Sequence, residues 1–245
     1  MTLEDDAYFY DEGLDYSVMG AKIAERMTRS GLRGLAGWPE ITRAMLVQNA
    51  AHEQQRALMA RSDWESRLKP IAASFGPRFT QNALHMLYHL HRFRAATGCA
   101  AETGGRVFEI GGGFGQMNAI LRLLGFTGEY TMLDLPPMLA LQKAYLEKCA
   151  LAPAGNVFTS DWPETTGGTL IATWSLSEAD LVTRQRALAA AGSFSRVLIA
   201  YQPTWHGRDN AAYFAVFRKL AGPGILWHDE AACDDSRYLF GTRGL

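Results

Sequence analysis

The sequence predicts an α/β fold, a mostly parallel sheet of seven strands with helices on both faces. From Arg106 onward, short apolar runs alternate with segments of helical periodicity. Glycine and proline separate many of these segments, which marks them as distinct elements. The length of 245 residues suffices for one α/β domain with an extension. Strands connected through helices favour a parallel sheet.

The strands and helices are predicted in strict alternation over most of this region. The seven predicted strands are residues 106–110, 130–134, 156–160, 169–174, 196–201, 224–228 and 237–241. The four predicted helices are residues 117–125, 138–150, 177–192 and 209–222. Ser177 and Asp180 have the spacing of a capping box at the start of the third helix.

Before residue 104 the sequence has a helical pattern. One helix is predicted from Pro39 to about Ala60, and a second from Phe79 to Ala96. The chain is therefore divided into a helical N-terminal extension, 1–103, and an α/β domain, 104–245.

Composition and charge argue against several classes of partner and location. The hydrophobic fraction is 48%, the net charge is -1 and the sequence pI is about 6.6. These values argue against nucleic acid or anionic lipid as the main partner. The acidic start of the chain lacks a signal-peptide pattern, and no apolar run approaches the roughly 20 residues of a membrane span. We therefore expect a cytoplasmic protein.

A glycine-rich loop connects the first predicted strand to the first helix of this domain. It runs from Glu109 through glycines at 111, 112, 113 and 115. Gly111, Gly113 and Gly115 allow the backbone to approach a ligand closely. The next helix offers free N–H groups at its N-terminus, and α/β sheets bind ligands at this edge.

Two details favour S-adenosylmethionine (SAM) over a dinucleotide. The spacing is G-x-G-x-G, and Gln116 occupies the place of the third glycine of the dinucleotide motif. Glu109 precedes the first glycine by two positions, where a carboxylate favours the cationic methionine end of SAM and repels a pyrophosphate.

An acidic residue follows the second predicted strand. Asp134 lies 19 positions after Gly115, where a carboxylate can accept hydrogen bonds from both ribose hydroxyls. Leu135, directly after it, is assigned to the same cofactor-binding segment. The alternative is that Asp134 is a turn residue ahead of Pro136 and Pro137.

These two motifs resemble those of class I SAM-dependent methyltransferases, and the likeness covers residues 104–245. More narrowly, the segments "VFEIGGGFGQMNAIL", "YTMLDLPPMLALQKAYL" and "SLSE" are similar to bacterial sugar O-methyltransferases. The resemblance implies a Rossmann-like class I methyltransferase fold, SAM as cofactor and a small sugar-like acceptor. It also implies that the extension contributes to the acceptor pocket. The oligomeric state stays open, with a homo-oligomer among the alternatives.

The resemblance implies further cofactor contacts. Asp161 follows the third strand, where it would meet the adenine amino group, and Trp162 would cover the ring. The alternative for Asp161 is a surface turn before Pro163. Trp174 ends the fourth strand, near the expected methionine end of the cofactor.

Methylation of a hydroxyl requires a group that accepts its proton. Glu178 follows the fourth strand and His206 follows the fifth, so both are candidates. Glu178 is equally suited to the first turn of a helix, and His206 to a solvated loop. Asp209 would orient His206 or cap the next helix.

Two other patterns are weaker. Asp134 to Pro137 is similar to the D-P-P-Y motif of amino-group methyltransferases, but it follows the second strand instead of the fourth, which favours a hydroxyl acceptor. His85 and His89 are four residues apart on one helix, a spacing that suits a metal. Because no matching ligand pattern accompanies them, no metal ligand is assigned, and metal dependence stays open.

Three alternatives remain from the sequence. The acceptor could be another natural product, such as a phenol. The chain could be a nicotinamide-dependent oxidoreductase, or it could bind SAM without catalysis.

Overall fold

The computed structural model describes residues 66, 67, 71, 73, 81–151, 154–164, 166–232 and 236–244. The helix predicted between Pro39 and Ala60 lies outside these residues. The division of the chain at residues 103 and 104 stays a prediction, because most of the N-terminal extension lies outside them too.

Nine strands form in the described residues, and seven of them build one sheet. The seven strands of that sheet are β1 (Arg106–Ile110), β2 (Glu129–Leu133), β3 (Asn156–Thr159), β4 (Gly168–Thr173), β5 (Phe194–Tyr201), β8 (Ile225–Ala231) and β9 (Arg237–Arg243). A separate hairpin joins β6 (Thr204–Trp205) and β7 (Arg208–Asp209).

The described helices include one before the sheet and five between its strands. They are α1 (Gln81–Thr97), α2 (Gln116–Leu123), α3 (Pro136–Lys148), α4 (Ser175–Glu178), α5 (Leu181–Ala190) and α6 (Asn210–Leu220). None of the helices in the described part of the chain has the length and apolar character that a membrane crossing requires.

The strand order across the sheet is β3-β2-β1-β4-β5-β9-β8. Strands β1 to β5 are parallel, whereas β9 is antiparallel to both β5 and β8. The chain proceeds outward from β1 to β3 and then returns to β4 on the other side of β1. This reversal opens a crevice at the carboxyl ends of β1 and β4, where α/β sheets bind ligands.

The sheet has an apolar core on each face, because successive side chains of a strand point to opposite sides. Val107 of β1 faces the core beneath α1, α2 and α3. Phe108 and Ile110 face the other core, beneath α4, α5 and α6. Glu109 thus lies on the face of α1 and α2, among apolar side chains.

The single helix predicted over residues 177–192 is wrong. The structure has α4 and α5 instead, with Ala179 and Asp180 between them in extended conformation. The Asp180 carboxylate accepts a hydrogen bond from the Thr183 N–H at 2.8 Å and caps α5. The predicted capping box of Ser177 and Asp180 is therefore wrong as well, because Ser177 lies within α4. Its hydroxyl donates a hydrogen bond to Gln202 Oε1 at 2.8 Å.

The β6–β7 hairpin is a feature that the sequence analysis missed. His206 and Gly207 form its two-residue tip with φ values of 47° and 76°. Positive φ at both positions matches the type I′ turn, whose twist fits the two strands that it joins.

Candidate active site

Gly111 lies where the loop passes so close to the start of α4 that only glycine fits. A Cβ atom at this position would lie 2.3 Å from the Cβ of Ser175, the first residue of α4. The N–H of Gly111 donates to the Leu133 carbonyl at 2.9 Å, which extends the β1–β2 pairing into the loop. Gly111 therefore fixes the loop between the ends of β2 and β4.

Gly113 and Gly115 both have positive φ, 58° and 92°, but their surroundings differ. A Cβ atom on Gly115 would lie 3.5 Å from the Cα of Gln142, which is an ordinary contact, so the positive φ and not a lack of space favours glycine here. A Cβ atom on Gly113 would meet no atom of the described residues within 4 Å. Gly113 is thus the glycine of the loop that faces open space.

Glu109 lies beneath the loop with 2% exposure. Its Oε2 accepts a hydrogen bond from the Tyr130 hydroxyl at 2.8 Å. Burial, together with the nearby charge of Asp134, raises the pKa of Glu109 from 4.5 to about 8, and the Tyr130 hydrogen bond opposes this rise. The carboxyl group lies directly below the loop, with its Oε2 2.9 Å from the place of a Cβ on Gly112.

Asp134 follows β2 and is bound to the same loop. Its Oδ1 accepts from the Leu135 N–H at 2.8 Å, and its Oδ2 accepts from Gln142 Nε2 at 2.7 Å. Burial raises the pKa of Asp134 to about 6, and hydrogen bonds from Leu135, Gln142 and the loop N–H groups oppose the rise. Leu135 is half-buried and is the N-cap residue of α3.

Gln142 is a site residue that the sequence analysis missed. It is fully buried on α3, and its Nε2 donates to both Asp134 Oδ2 and the Gly113 carbonyl, the latter at 3.0 Å. The sequence carried a signal: Gln142 is a polar residue within the buried stripe formed by Met138, Leu141 and Tyr145. A buried polar side chain in such a stripe needs a partner.

Asp161 and Trp162 follow β3, as predicted. Asp161 is exposed, and its backbone forms a turn with the Thr159 hydroxyl, to which its N–H donates at 3.1 Å. Trp162 is half-buried and packs edge-on against Phe108, with ring centroids 5.2 Å apart. Trp162 therefore covers part of the sheet, and its contact with adenine stays a prediction.

Trp174 follows β4 in an unusual backbone conformation, with φ 65° and ψ -31°. Its indole N–H donates to the Ser236 hydroxyl at 3.2 Å. The indole ring also packs edge-on against the imidazoles of His85 and His89, with centroids 5.0 and 5.1 Å apart. A non-glycine residue at positive φ is uncommon and suggests that its surroundings hold it there.

The two candidate proton acceptors lie in different settings. Glu178 is half-buried, and its Oε1 accepts from Gln202 Nε2 at 3.1 Å. Burial raises the pKa of Glu178, and the Gln202 hydrogen bond opposes the rise. His206 is exposed at the hairpin tip. Asp209 caps α6 by accepting from the Ala212 N–H at 2.8 Å.

The hairpin is connected to the segment that follows α4. Arg208 donates to the Ala179 carbonyl at 3.0 Å, one residue after Glu178. The structure thus joins the elements that carry Glu178 and His206. Their predicted catalytic roles stay predictions.

The imidazoles of His85 and His89 pack against each other with centroids 4.3 Å apart and their planes tilted by 32°. Their association with Trp174 and Tyr238 joins segments that are distant in sequence, so no local pattern predicts it. Among the described residues, no three His, Cys, Asp or Glu side chains are grouped as ligands of a metal ion.

Comparisons with known proteins show the fold. No model of a known protein family and no curated protein matches the sequence. Magnesium protoporphyrin IX methyltransferase from Synechocystis PCC 6803, solved with bound SAM, is 14% identical, with a TM-score of 0.56; the match covers 96% of this chain and all of that one, 100%. The structural similarity shows that the two chains share a fold, which confirms the predicted Rossmann-like class I methyltransferase fold.

Two further solved structures are similar at lower TM-scores. An O-methyltransferase family protein from Burkholderia thailandensis is 14% identical over 79% of this chain and 71% of its own, with a TM-score of 0.49. Mitomycin 7-O-methyltransferase is 15% identical over 67% of this chain, with a TM-score of 0.47. The match spans 57% of the length of the mitomycin enzyme.

Proposed function

We propose that this chain is a SAM-dependent methyltransferase that methylates a hydroxyl group of a small molecule. The observation that carries the proposal is the open space beside Gly113, next to Asp134 and above the buried Glu109. An acidic, glycine-lined crevice at the carboxyl edge of β1 and β4 suits a cationic nucleoside. The fold is consistent with this function.

The residues at this edge fit the chemical groups of SAM. Asp134 offers carboxylate oxygens to the ribose hydroxyls, and Leu135, the next residue, belongs to the same proposed cofactor-binding segment. Glu109 lies below the methionine end, where a bound cation would favour its ionised form. α2 begins after Gly115 without a side-chain cap in the described residues, and its N-terminal end is proposed to face the cofactor. Asp161, Trp162 and Trp174 are proposed to contact the adenine ring and the methionine end.

A nicotinamide dinucleotide fits less well. Gln116 occupies the place of a glycine in the dinucleotide motif, and the buried acid Glu109 disfavours a pyrophosphate above it. Separate calorimetric titrations with SAM and with NADH distinguish these cofactors. Binding of NADH without binding of SAM would overturn the assignment.

We propose a sugar or a glycan-derived hydroxyl compound as the acceptor. The support is the resemblance of the segments around Gly113, Asp134 and Glu178 to bacterial sugar O-methyltransferases. A phenolic natural product is the second candidate class. The N-terminal extension, 1–103, is proposed to contribute to the acceptor pocket.

The protein's part in the reaction is alignment, exclusion of water and proton transfer. When bound, SAM supplies the methyl group and the leaving sulfur. The chain must hold the acceptor oxygen in line with them and accept the hydroxyl proton. Glu178 and His206 are the sequence-derived candidates for this proton. The raised pKa of Glu178 suits proton transfer closer to neutral pH.

The direct test is methyl transfer from labelled SAM to two panels of acceptors, one of sugars and glycosides and one of phenols. Turnover of sugars supports the full proposal, whereas turnover of phenols alone moves the acceptor to the second class. Binding of SAM without turnover of either panel would indicate a non-catalytic binding module.

A further inference from the structure

Four ring-bearing side chains meet on the α1 face of the sheet, near the end of β4. His85 and His89 come from α1, Trp174 follows β4, and Tyr238 belongs to β9. The two imidazoles pack against each other and against Trp174, and His89 packs edge-on against Tyr238 at 5.5 Å between centroids. We call these four residues the imidazole cluster.

The cluster adjoins the candidate cofactor loop. Trp174 is followed by Ser175, whose side chain occupies the space beside Gly111. The backbone N–H of Trp174 also donates to the Ala200 carbonyl at 2.7 Å, at the carboxyl end of β5. One side of Trp174 thus faces the imidazoles, while the next residue touches the loop.

The direction of α1 places His85 at the open edge of the cluster. Phe93 packs against Phe240, and His89, one turn earlier in α1, packs against Tyr238. Tyr238 pairs with Ala200, two residues nearer the carboxyl end of β5 than the partner of Phe240. His85, one further turn along, therefore lies toward the carboxyl edge, and it is half-buried where His89 is fully buried.

His89 is fixed in one position. Its Nδ1 lies 2.7 Å from the Tyr238 hydroxyl, and its Nε2 is buried without a hydrogen-bond partner among the described residues. Burial, and then the nearby charge of His85, lower the pKa of His89 well below 6.5. His89 is therefore neutral at pH 7, and a neutral ring packed against His85 adds no charge that would oppose proton uptake there.

We infer that His85 accepts the proton of the acceptor hydroxyl and that His89, held by Tyr238, positions it; this inference rests on the proposed methyl transfer. A bond forms between the acceptor oxygen and the methyl carbon as the carbon–sulfur bond breaks, and that electron pair stays on sulfur. The hydroxyl proton passes to an imidazole nitrogen of His85 and then to solvent. The flat face of Trp174 borders the acceptor.

The settings of the two sequence-derived candidates favour His85. The Glu178 carboxylate is engaged by the Gln202 amide, and His206 is at an exposed turn. His85 combines partial exposure with packing on Trp174, next to the loop. It is thus both reachable by an acceptor and held in place.

The test is His85→Ala, compared with His91→Ala as a matched control on the same helix. We expect kcat to fall roughly a hundredfold or more in His85→Ala, because the proton acceptor is lost. Affinity for SAM by calorimetry should stay within twofold. Added imidazole should restore part of the activity of His85→Ala and none in Glu178→Gln. His91→Ala should behave like the unmodified chain.

Two results would overturn the assignment. The first is turnover of His85→Ala within a few-fold of the unmodified chain. The second is a larger loss in Glu178→Gln or His206→Ala than in His85→Ala. If the unmodified chain binds SAM but methylates neither acceptor panel, the proposed function itself fails, which is a separate outcome.

The positioning role of His89 has a readout that needs no cofactor. Long-range ¹H–¹⁵N spectra of the imidazole rings should show His89 neutral, in a single tautomer, from pH 6.5 to 8. Tyr238→Phe should produce a mixture of tautomers at His89 and lower kcat more than it changes KM. A charged His89 in the unmodified chain, or two tautomers exchanging there, would contradict the role.

Discussion

The glycines of the cofactor loop have different physical tasks at the scale of single residues. Ser175 leaves no space for a side chain at Gly111, whereas Gly115 is favoured by its positive φ of 92°. Gly113 needs its positive φ but has space beside it. A side chain at Gly113 would therefore compete with a ligand without meeting the protein.

Gly113→Asn tests the position of the cofactor directly. Asparagine tolerates positive φ better than most residues, so the fold should be retained. We expect affinity for SAM to fall at least tenfold in calorimetry. Gly98→Asn is the matched control, since Gly98 has φ 70° and likewise has no atom of the described residues within 4 Å of a Cβ position. Equal affinity of both variants would remove Gly113 from the site.

Asp134→Asn tests the proposed ribose contact. A hydrogen bond to a charged group contributes about 1.5–3 kcal/mol, so we expect the Kd for SAM to rise by roughly tenfold to a hundredfold. Thermal unfolding of the variant without SAM provides the control for folding. An unchanged Kd in a well-folded variant would assign Asp134 to the loop structure alone.

Glu109→Gln tests the buried carboxyl group through the pH dependence of stability. The folded state retains a proton on Glu109 that the unfolded state releases above 4.5, so the free energy of unfolding falls as pH rises from 4.5 to about 8. The slope from one such group is at most about 1.4 kcal/mol per pH unit. Glutamine keeps an oxygen for Tyr130 but does not ionise.

We therefore expect the variant to gain stability relative to the unmodified chain as pH rises from 5 to 8. Denaturant unfolding at pH 5, 6.5 and 8 measures this difference. Asp134 adds a slope of the same sign below pH 6 in both chains, so the comparison isolates Glu109. A constant difference across this range would refute the buried, protonated state.

At the scale of elements, α3 connects the second strand to the glycine loop through one side chain. Gln142 spans Asp134 and Gly113, and no other described side chain donates a hydrogen bond to both. The loop conformation thus depends on α3, which comes after α2 and β2 in the chain.

Gln142→Met should keep the volume of this side chain and remove both hydrogen bonds. We expect weaker SAM binding, by roughly fivefold or more, because the loop and Asp134 lose their common donor. Gln185→Met on the exposed side of α5 is the control for the same change in composition. Stability and affinity identical to those of that control would show that Gln142 has no part in shaping the loop.

The sequence predicted most elements because their signals are local. Strand β1 was predicted with its observed bounds, and α3 was displaced by two residues. The break before Asp180 was missed because the apolar pattern continues through it, although the Asp180 side chain caps the start of a new helix there. The imidazole cluster was missed because Trp174 and Tyr238 meet His89 only in the folded chain.

At the scale of the whole molecule, the parallel pairing of β1 with β2 brings two acids together with the loop. Glu109 lies on β1 and Asp134 follows β2; burial raises the pKa of both, and the charge of Asp134 raises that of Glu109 further. A bound cation would favour the ionised form of both.

SAM binding should therefore release protons between pH 6 and 8. Calorimetric titrations at pH 7 in buffers with different ionisation enthalpies measure the number released. We expect net release in the unmodified chain and less in Glu109→Gln. Proton uptake, or an observed enthalpy independent of the buffer, would contradict the placement of a cation above Glu109.

The position of β9 between β5 and β8 has a consequence for the order of assembly. β8 precedes β9 in the chain, yet it joins the sheet only by pairing with β9. A nascent chain that has emerged only as far as β8 leaves the edge of β5 open, and an open strand edge invites pairing with other chains. Completion of the sheet therefore waits for synthesis of residues 237–243, and release of a chain shortened before them would yield an aggregation-prone product.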